Sequence, residues 1–369
     1  MQRGAWQNEK VRNTVTMKHF FFPETGTFFK ANLHCHSKLS DGGMTPQQIK
    51  EVYQAHGYSI VAFTDHELLH DNSALTDDRF LAITGYEIAA SGPGAGTGVF
   101  NEEKCVHLNL LSSDPHLVKH VCFHPDWCRW CDHDGQAAQA EHFGEILPHA
   151  NTAEWVNRVI AEGREHGFLC AYNHPSWSCQ NYEDFKDYEG LWGVELYNAG
   201  CDQAGNLDSA AVYDQILRQG KFPFPLATDD NHGGVSRVDL PSSDTCRGWV
   251  MVRAPRLDYP SVFAALARGD FYASTGPSFE SLYCEDGILH VACSPVRRIF
   301  VNTAGRLTLR AYPKVEGETI TGAEIRFASR DESGVLTTSA KGYLRVTIED
   351  PAGHQAWSKA LPIADLIRD

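Results

Sequence analysis

Asn32-Leu33-His34-Cys35-His36-Ser37-Lys38-Leu39-Ser40-Asp41-Gly42-Gly43 follows an apolar run, Phe28-Phe29-Lys30-Ala31, that reads as a short strand. His34 and His36 are two apart, so on an extended backbone both imidazoles point to the same side. Asp41 adds a carboxylate, and Gly42-Gly43 lets the chain turn sharply back. Two same-side imidazoles with a carboxylate on the next loop suit a divalent metal. They equally suit a hydrogen-bonded pair of histidines on a strand. The decision rests on how the later strands end.

The 369 residues are enough for one large domain plus a smaller one. A formal charge of -15 argues against a non-specific grip on nucleic acid or an anionic membrane, since both need basic surface. Met1 to Met17 lacks the apolar core of a signal peptide, and no apolar run is long enough to span a membrane. With eleven cysteines and no export signal, a cytoplasmic protein with reduced thiols is expected. Eighteen histidines are a surplus whose placement matters.

Thr45-Pro46-Gln47-Gln48 predicts a helix start, with Thr45 as cap and Gln48 as its capping-box partner. Ile49, Val52, Tyr53 and His56 fall on its inward face, and Gly57 ends it. Tyr58 to Phe63 reads as a buried strand finishing in Thr64-Asp65-His66. Leu81 to Tyr86 finishes at Glu87, and Cys105 to Leu110 carries His107 inside it. Residues 112–148 interrupt the rhythm. Within them Cys128 and Cys131 have the spacing of half a zinc site, but no second pair completes it, so a loop covering the site is the favoured reading. A helix from Asn151 to His166, capped by Asn151, is followed by the strand Phe168–Tyr172 and Asn173-His174-Pro175. The strand Trp192–Leu196, a helix over Ser209–Arg218 and the strand Phe224–Ala227 lead to Asp229-Asp230-Asn231-His232. A helix over Tyr259–Arg268 and the segment Phe271–Pro277 close this part. Beyond Phe279 short alternating segments separated by turns predict a small all-β sandwich.

In an α/β barrel the ends of parallel strands converge on one face, which carries the site. Collected there are His34, His36, Asp41, His66, Glu87, His107, His174, Asp230 and His232. This exceeds the three protein ligands typical of one catalytic zinc, so two or three ions with a bridging carboxylate are expected. Such ions make hydroxide available near neutral pH and stabilise the charge of a phosphoryl transition state. Asp65, Asp229 and Asn173 are candidates for orienting a ligand or moving a proton. Arg237 and Arg129 are candidates for a phosphate oxygen, and Trp177 for stacking on a base or sugar. Cys35 should face away from the ligands, into the core.

The ordered set of His-x-His with Ser40-Asp41-Gly42, Thr64-Asp65-His66, Glu87, His107, Asn173-His174-Pro175 and Asp230-x-His232 resembles the PHP family, named for polymerase and histidinol phosphatase members. The likeness covers about residues 28–277. Gly269-Asp270-Phe271-Tyr272-Ala273-Ser274-Thr275-Gly276-Pro277 and the β-rich tail resemble a stand-alone subgroup that includes carbamate-ester hydrolases related to carbaryl hydrolase.

The resemblance implies a distorted seven-stranded β/α barrel with a trinuclear centre of Zn, Mn or Fe. By it, His34, His36, Glu87 and Asp230 would surround one ion. Glu87 would bridge to a second, held by His107 and His174, and Asp41, His66 and His232 would hold the third. The implied organisation is an N-terminal extension (1–27), the barrel (28–277, with the insert 112–148) and a β-rich C-terminal domain (278–369). The Gly-rich loop Gly92–Gly98 and the insert are not parts of that pattern. The expected function is hydrolysis of a small phosphate ester, such as a sugar or nucleotide phosphate. The alternatives are hydrolysis of a carbamate or carboxylate ester with the same metals, and a non-catalytic binding module that the metals only stabilise. Oligomeric state is not readable from the sequence.

Overall fold

Strand β1 (Thr27–Asn32) occupies the middle of a mixed sheet, and its neighbours explain why the His-x-His stretch follows it where it does. The computed structural model describes residues 17–91, 104–128, 131–133, 135–207 and 210–368. On one side β1 pairs in parallel with β2 (Ile60–Phe63), whose four residues are all buried as a strand covered on both faces should be. β2 pairs in parallel with β3 (Leu81–Ser91).

From there the sheet departs from the all-parallel expectation. β4 (Cys105–Ser112) runs antiparallel to both β3 and β5 (Phe168–Tyr172). β6 (Gly193–Asn198) and β7 (Phe224–Thr228) then continue in parallel with β5. The reversal of β4 is what brings His107 to the site. It lies near the start of β4, opposite Ala89, at the end of the sheet where β1 to β3 finish. Glu87 is likewise not a strand end, because β3 continues past it on the antiparallel ladder with β4.

The other side of β1 pairs antiparallel with β8 (Trp249–Ala254), a strand missed in the sequence, and β8 pairs with β9 (Phe271–Ser274). The seventh strand meets the first beyond their ends. Cys35 and Asn231 form a parallel bridge, the Asp230 N–H donates to the His34 carbonyl at 3.0 Å, and the Asp229 N–H donates to Asn32 Oδ1 at 3.1 Å.

Helix α1 (Pro46–Ala55) has the expected capping box between Thr45 and Gln48, and it buries Ile49 and Tyr53. His56 instead sits at its exposed C-terminus, where the helix has already ended. Helix α2 (Ala153–Glu165) is capped by Thr152 rather than Asn151. The Asn151 side chain is engaged elsewhere, donating to the Lys104 carbonyl and accepting from Gln180. Trp155, Val156, Val159 and Ile160 of α2 pack on the main core as its periodicity predicts. Helix α3 (Ala199–Gln203), absent from the sequence reading, follows β6 directly. Helix α4 covers Ala210–Arg218 and α5 covers Tyr259–Arg268. No described helix is long and apolar enough to cross a membrane.

The C-terminal segments form two layers. β10 (Phe279–Glu285), β11 (Ile288–Val296) and β14 (Ile320–Arg326) join His19–Phe20 in a separate four-stranded sheet. The facing layer of β12 (Arg298–Thr303), β13 (Thr308–Ala311), β15 (Tyr343–Glu349) and β16 (Gln355–Trp357) extends the large sheet, because β16 pairs with β9. Leu282, Leu289, Ile299, Val301, Val346 and Ile348 fill a second core between the layers, together with Phe21 and Phe22.

Candidate metal centre

Glu87 lies at the centre of the mouth. Its Oε1 is 3.0 Å from His107 Nδ1, 3.2 Å from His174 Nε2 and 3.4 Å from His34 Nε2. Its Oε2 is 3.2 Å from His66 Nδ1 and 3.4 Å from His36 Nε2. Beside it, Asp230 Oδ1 sits 3.0 Å from His36 Nε2 and 3.2 Å from His34 Nε2. Further out, Asp41 Oδ2 is 3.3 Å from His232 Nε2 and 3.7 Å from His66 Nε2.

All nine sequence candidates fall into four overlapping groups of potential ligands: His36, Asp41, His66 and His232; His34, Glu87 and His174; His34, His36 and Asp230; and His66, Glu87 and His107. These groups share residues more than the three-way partition implied by family resemblance. His36 also stands with Asp41, and His66 also stands with Glu87 and His107.

The turn that carries Asp41 requires glycine, since a Cβ on Gly42 would lie 2.4 Å from the His36 carbonyl oxygen. His174 and Asp230 both have positive φ, +24° and +51°. Non-glycine residues in that region cost on the order of 1–3 kcal/mol each, and such residues cluster at functional sites.

Several observations suit divalent cations. Nε2 of His34 and Nε2 of His36 are 3.1 Å apart, and only one of them can present a proton to the other. His36 Nδ1 is buried without a hydrogen-bond partner, with Asp41 Oδ1 3.6 Å away. Buried polar atoms are normally paired, so an orphaned ring nitrogen facing a carboxylate needs an explanation. Imidazole and carboxylate ligands suit Zn, Mn and Fe alike.

The imidazoles and carboxylates also shift one another's titration. Burial opposes charging, yet His107, His34 and His66 hold the Glu87 carboxyl well below its usual range. His34, His36 and His232 do the same for Asp230. Despite its own burial, His36 is pushed up to about 10 by Asp230 and Glu87. His66 is pushed down to about 3 by burial and by the neighbouring His36.

The proposed positioning residues have different surroundings. Asn173 Nδ2 donates to Glu87 Oε1 at 2.8 Å, within the site. Asp65 accepts from the Ser37 N–H and from the hydroxyls of Ser37 and Ser40, so it shapes the loop between His36 and Asp41. Asp229 accepts from the N–H groups of Cys246, Arg247 and Gly248 and from the Tyr53 hydroxyl, and burial lifts its carboxyl to about 6. Neither aspartate is among the side chains lining the mouth.

That cavity has a volume of about 330 Å³. Trp177 forms part of its wall, edge-on to His107 and His174. Arg237 is exposed on the turn Val235–Arg237 and is not in the wall. Arg129 and the loop Gly92–Gly98 lie outside the described residues.

The described part of the insert leans on the mouth. Cys131 Sγ donates to the His66 carbonyl at 3.3 Å, and His133 Nε2 lies 2.5 Å from the Ser40 carbonyl. Cys128 Sγ contacts the Glu67 carbonyl. The spacing of a half zinc site thus serves contact with the ligand loops, and among the described residues no ligand group forms within the insert.

Glu195 was overlooked in the sequence. Its Oε1 is 2.8 Å from His34 Nδ1 and accepts from the Thr228 hydroxyl, while Oε2 accepts from the His174 N–H and from Asn198 Nδ2. Asn198 also donates to Asp230 Oδ2. The available signal was an acid inside the apolar strand Trp192–Leu196, where only a specific partner offsets the cost of burial.

No family model and no curated protein matches the chain. Solved structures that it is similar to include a two-domain protein from Bacteroides vulgatus described as containing a predicted PHP-like metal-dependent phosphoesterase. That match has 13% identity and a TM-score of 0.43, covering 92% of this chain and 96% of the other. A putative metal-dependent phosphoesterase from Bifidobacterium adolescentis matches at 16% identity and a TM-score of 0.34, over 57% of this chain and 89% of the other. An amidohydrolase from Chromobacterium violaceum matches at 16% and 0.37, over 56% and 88%. Likeness this distant does not transfer chemistry, so the functional case rests on the site residues.

Proposed function

We propose that the chain is a metal-dependent phosphoesterase acting on a small phosphorylated metabolite. The observation that carries this reading is Glu87, a buried carboxylate within 3.4 Å of nitrogens from His34, His36, His66, His107 and His174. We take β1 to β7 as a distorted barrel drawn together at the Cys35–Asn231 bridge. Residues 28–277 would be the catalytic unit, 278–369 an appended β domain and 1–27 an extension.

His34, His36, Glu87 and Asp230 would hold one ion, His107 and His174 with Glu87 a second, and Asp41, His66 and His232 a third. Bound ions of this kind supply Lewis-acid charge and activate water. The protein's own contribution is orientation. Glu195 at Nδ1 keeps the His34 proton there and leaves Nε2 with its lone pair toward the mouth. Asn173 fixes the Glu87 carboxylate through Oε1. Asp244 accepts from the His232 and Gly233 N–H groups, which sets the loop that carries His232. A cavity of about 330 Å³ admits a small substrate, with Trp177 in its wall.

One observation favours the second reading, hydrolysis of a neutral carbamate or carboxylate ester. No lysine or arginine is among the described side chains lining the mouth, so among these side chains a phosphate dianion would meet imidazoles and bound cations rather than a fixed positive charge. A panel of metabolite phosphates, p-nitrophenyl phosphate, aryl carbamates and aryl acetates, run with Mn²⁺, Zn²⁺ and Fe²⁺, separates the two. Turnover confined to carbamates or acetates would overturn the phosphoesterase reading. Full activity in His34→Ala would remove the metal argument altogether.

A further inference from the structure

A cavity larger than the mouth lies elsewhere among the described residues. It has a volume of about 530 Å³ and opens where the α/β part meets the C-terminal β layers. Its wall includes Tyr197 from β6, Trp249 at the start of β8 and Trp357 at the end of β16. Arg247, Cys246 and Asp202 are among its polar lining residues.

We propose that this cavity is a second ligand site, distinct from the mouth, for a small planar aromatic molecule bearing a carboxylate. Three aromatic side chains provide flat apolar surface, the usual basis for recognising a ring. Arg247 brings a guanidinium to the same wall. Its Nη2 donates to the Leu240 carbonyl, which anchors one end of the group. Arg247 adds the positive charge that selects an anion, and the Lys30 ammonium lies 3.9 Å over the Trp249 ring.

Placement links this cavity to the mouth. In the short helix α3, Gly200 and Cys201 line the mouth, while Asp202 and Gln203 line the second cavity. The segment Cys246–Gly248 is pinned by Asp229, next to Asp230. The site therefore lies behind the mouth and shares walls with it, but uses none of its ligands.

The test needs no mutation to begin with. The full chain, loaded with divalent metal, is titrated calorimetrically with salicylate, indole-3-acetate or 4-hydroxybenzoate. The expected result is one site per chain, with binding about tenfold weaker for uncharged benzyl alcohol. Arg247→Met should weaken binding about tenfold, the size of one lost charge-assisted hydrogen bond. Trp357→Phe should weaken it less, and Asp230→Asn in the mouth should leave it unchanged. Absence of calorimetric binding by all three acids would overturn the proposal. So would binding that Arg247→Met and Trp357→Phe leave intact in folded protein, or that Asp230→Asn abolishes.

Discussion

Two buried charged clusters, the mouth and the junction between α4 and β15, solve the same problem in opposite ways. At the junction Asp214 is met by a fixed countercharge. Arg345 Nε and Nη2 bond its two oxygens at 2.7 Å each, Tyr343 adds its hydroxyl at 2.7 Å, and Arg345 Nη1 donates to Thr347. The fork-to-fork geometry satisfies both oxygens, and nothing is left for an outside partner. At the mouth, Glu87, Asp230 and Glu195 face imidazoles, whose charge is exchangeable. The carboxylates raise the titration of His34, His36 and His107 against the effect of burial, and a metal can take the place of such protons. A cluster with fixed countercharge holds the fold together, whereas one with exchangeable countercharge is suited to binding cations.

The strongest way to break this comparison is at the mouth itself. Asp230→Ala, or removal of metal by a chelator, should lower hydrolysis by about 10³-fold or more, since several kcal/mol of charge stabilisation is lost. Circular dichroism should show the fold retained. Activity that survives both treatments would mean that the mouth is a structural cluster like the junction.

Arg345→Met should destabilise the chain by about 3–5 kcal/mol in urea unfolding, because it strands the buried Asp214 carboxylate. Adding Asp214→Leu should recover much of that loss. A neutral single mutant would show the junction to be as adaptable as the mouth.

Glu195→Gln should sharpen the contrast more gently. Loss of an outer carboxylate behind a histidine ligand typically weakens metal affinity about 10–100-fold, and titration with Zn²⁺ would read it. The thermal midpoint of the metal-free chain is the control for folding.

The smallest effect expected is a difference in pH dependence. The metal-free chain holds His36 protonated up to about 10, against an ordinary value near 6.5. That contribution is complete below about 6.5 and is lost as the pH rises toward 10. Thermal midpoints of the metal-free chain should therefore fall over that window, while metal-loaded protein falls less. Apparent metal affinity should rise with pH, as bound protons cease to compete. A metal affinity that does not change with pH would contradict exchangeable countercharge.

Much of the site was legible because its residues are out of place for a core. His34, His36, His66 and His174 each follow or end an apolar run, and Asp230-Asn231-His232 repeats the pattern. The capping box of α1 and the inward face of α2 were legible for a similar reason, since both depend on residues only three or four apart. Glu195 was harder to find because its role depends on His34, far away in sequence. Asp65 and Asp229 sit beside ligands in the sequence but turn to backbone N–H groups instead. Adjacency along the chain does not tell which way a carboxylate points.

The sequence by itself determined the inventory of candidate ligands, the helices with local caps and the alternation of the C-terminal strands, because these follow from side-chain chemistry and short-range periodicity. Only the tertiary structure decided that β4 runs backwards, that Glu87 gathers five imidazoles, and that β16 joins the C-terminal layers to the large sheet. Strand direction and pairing are set by which distant surfaces can be buried together, and a period of two reads the same in either direction along the chain.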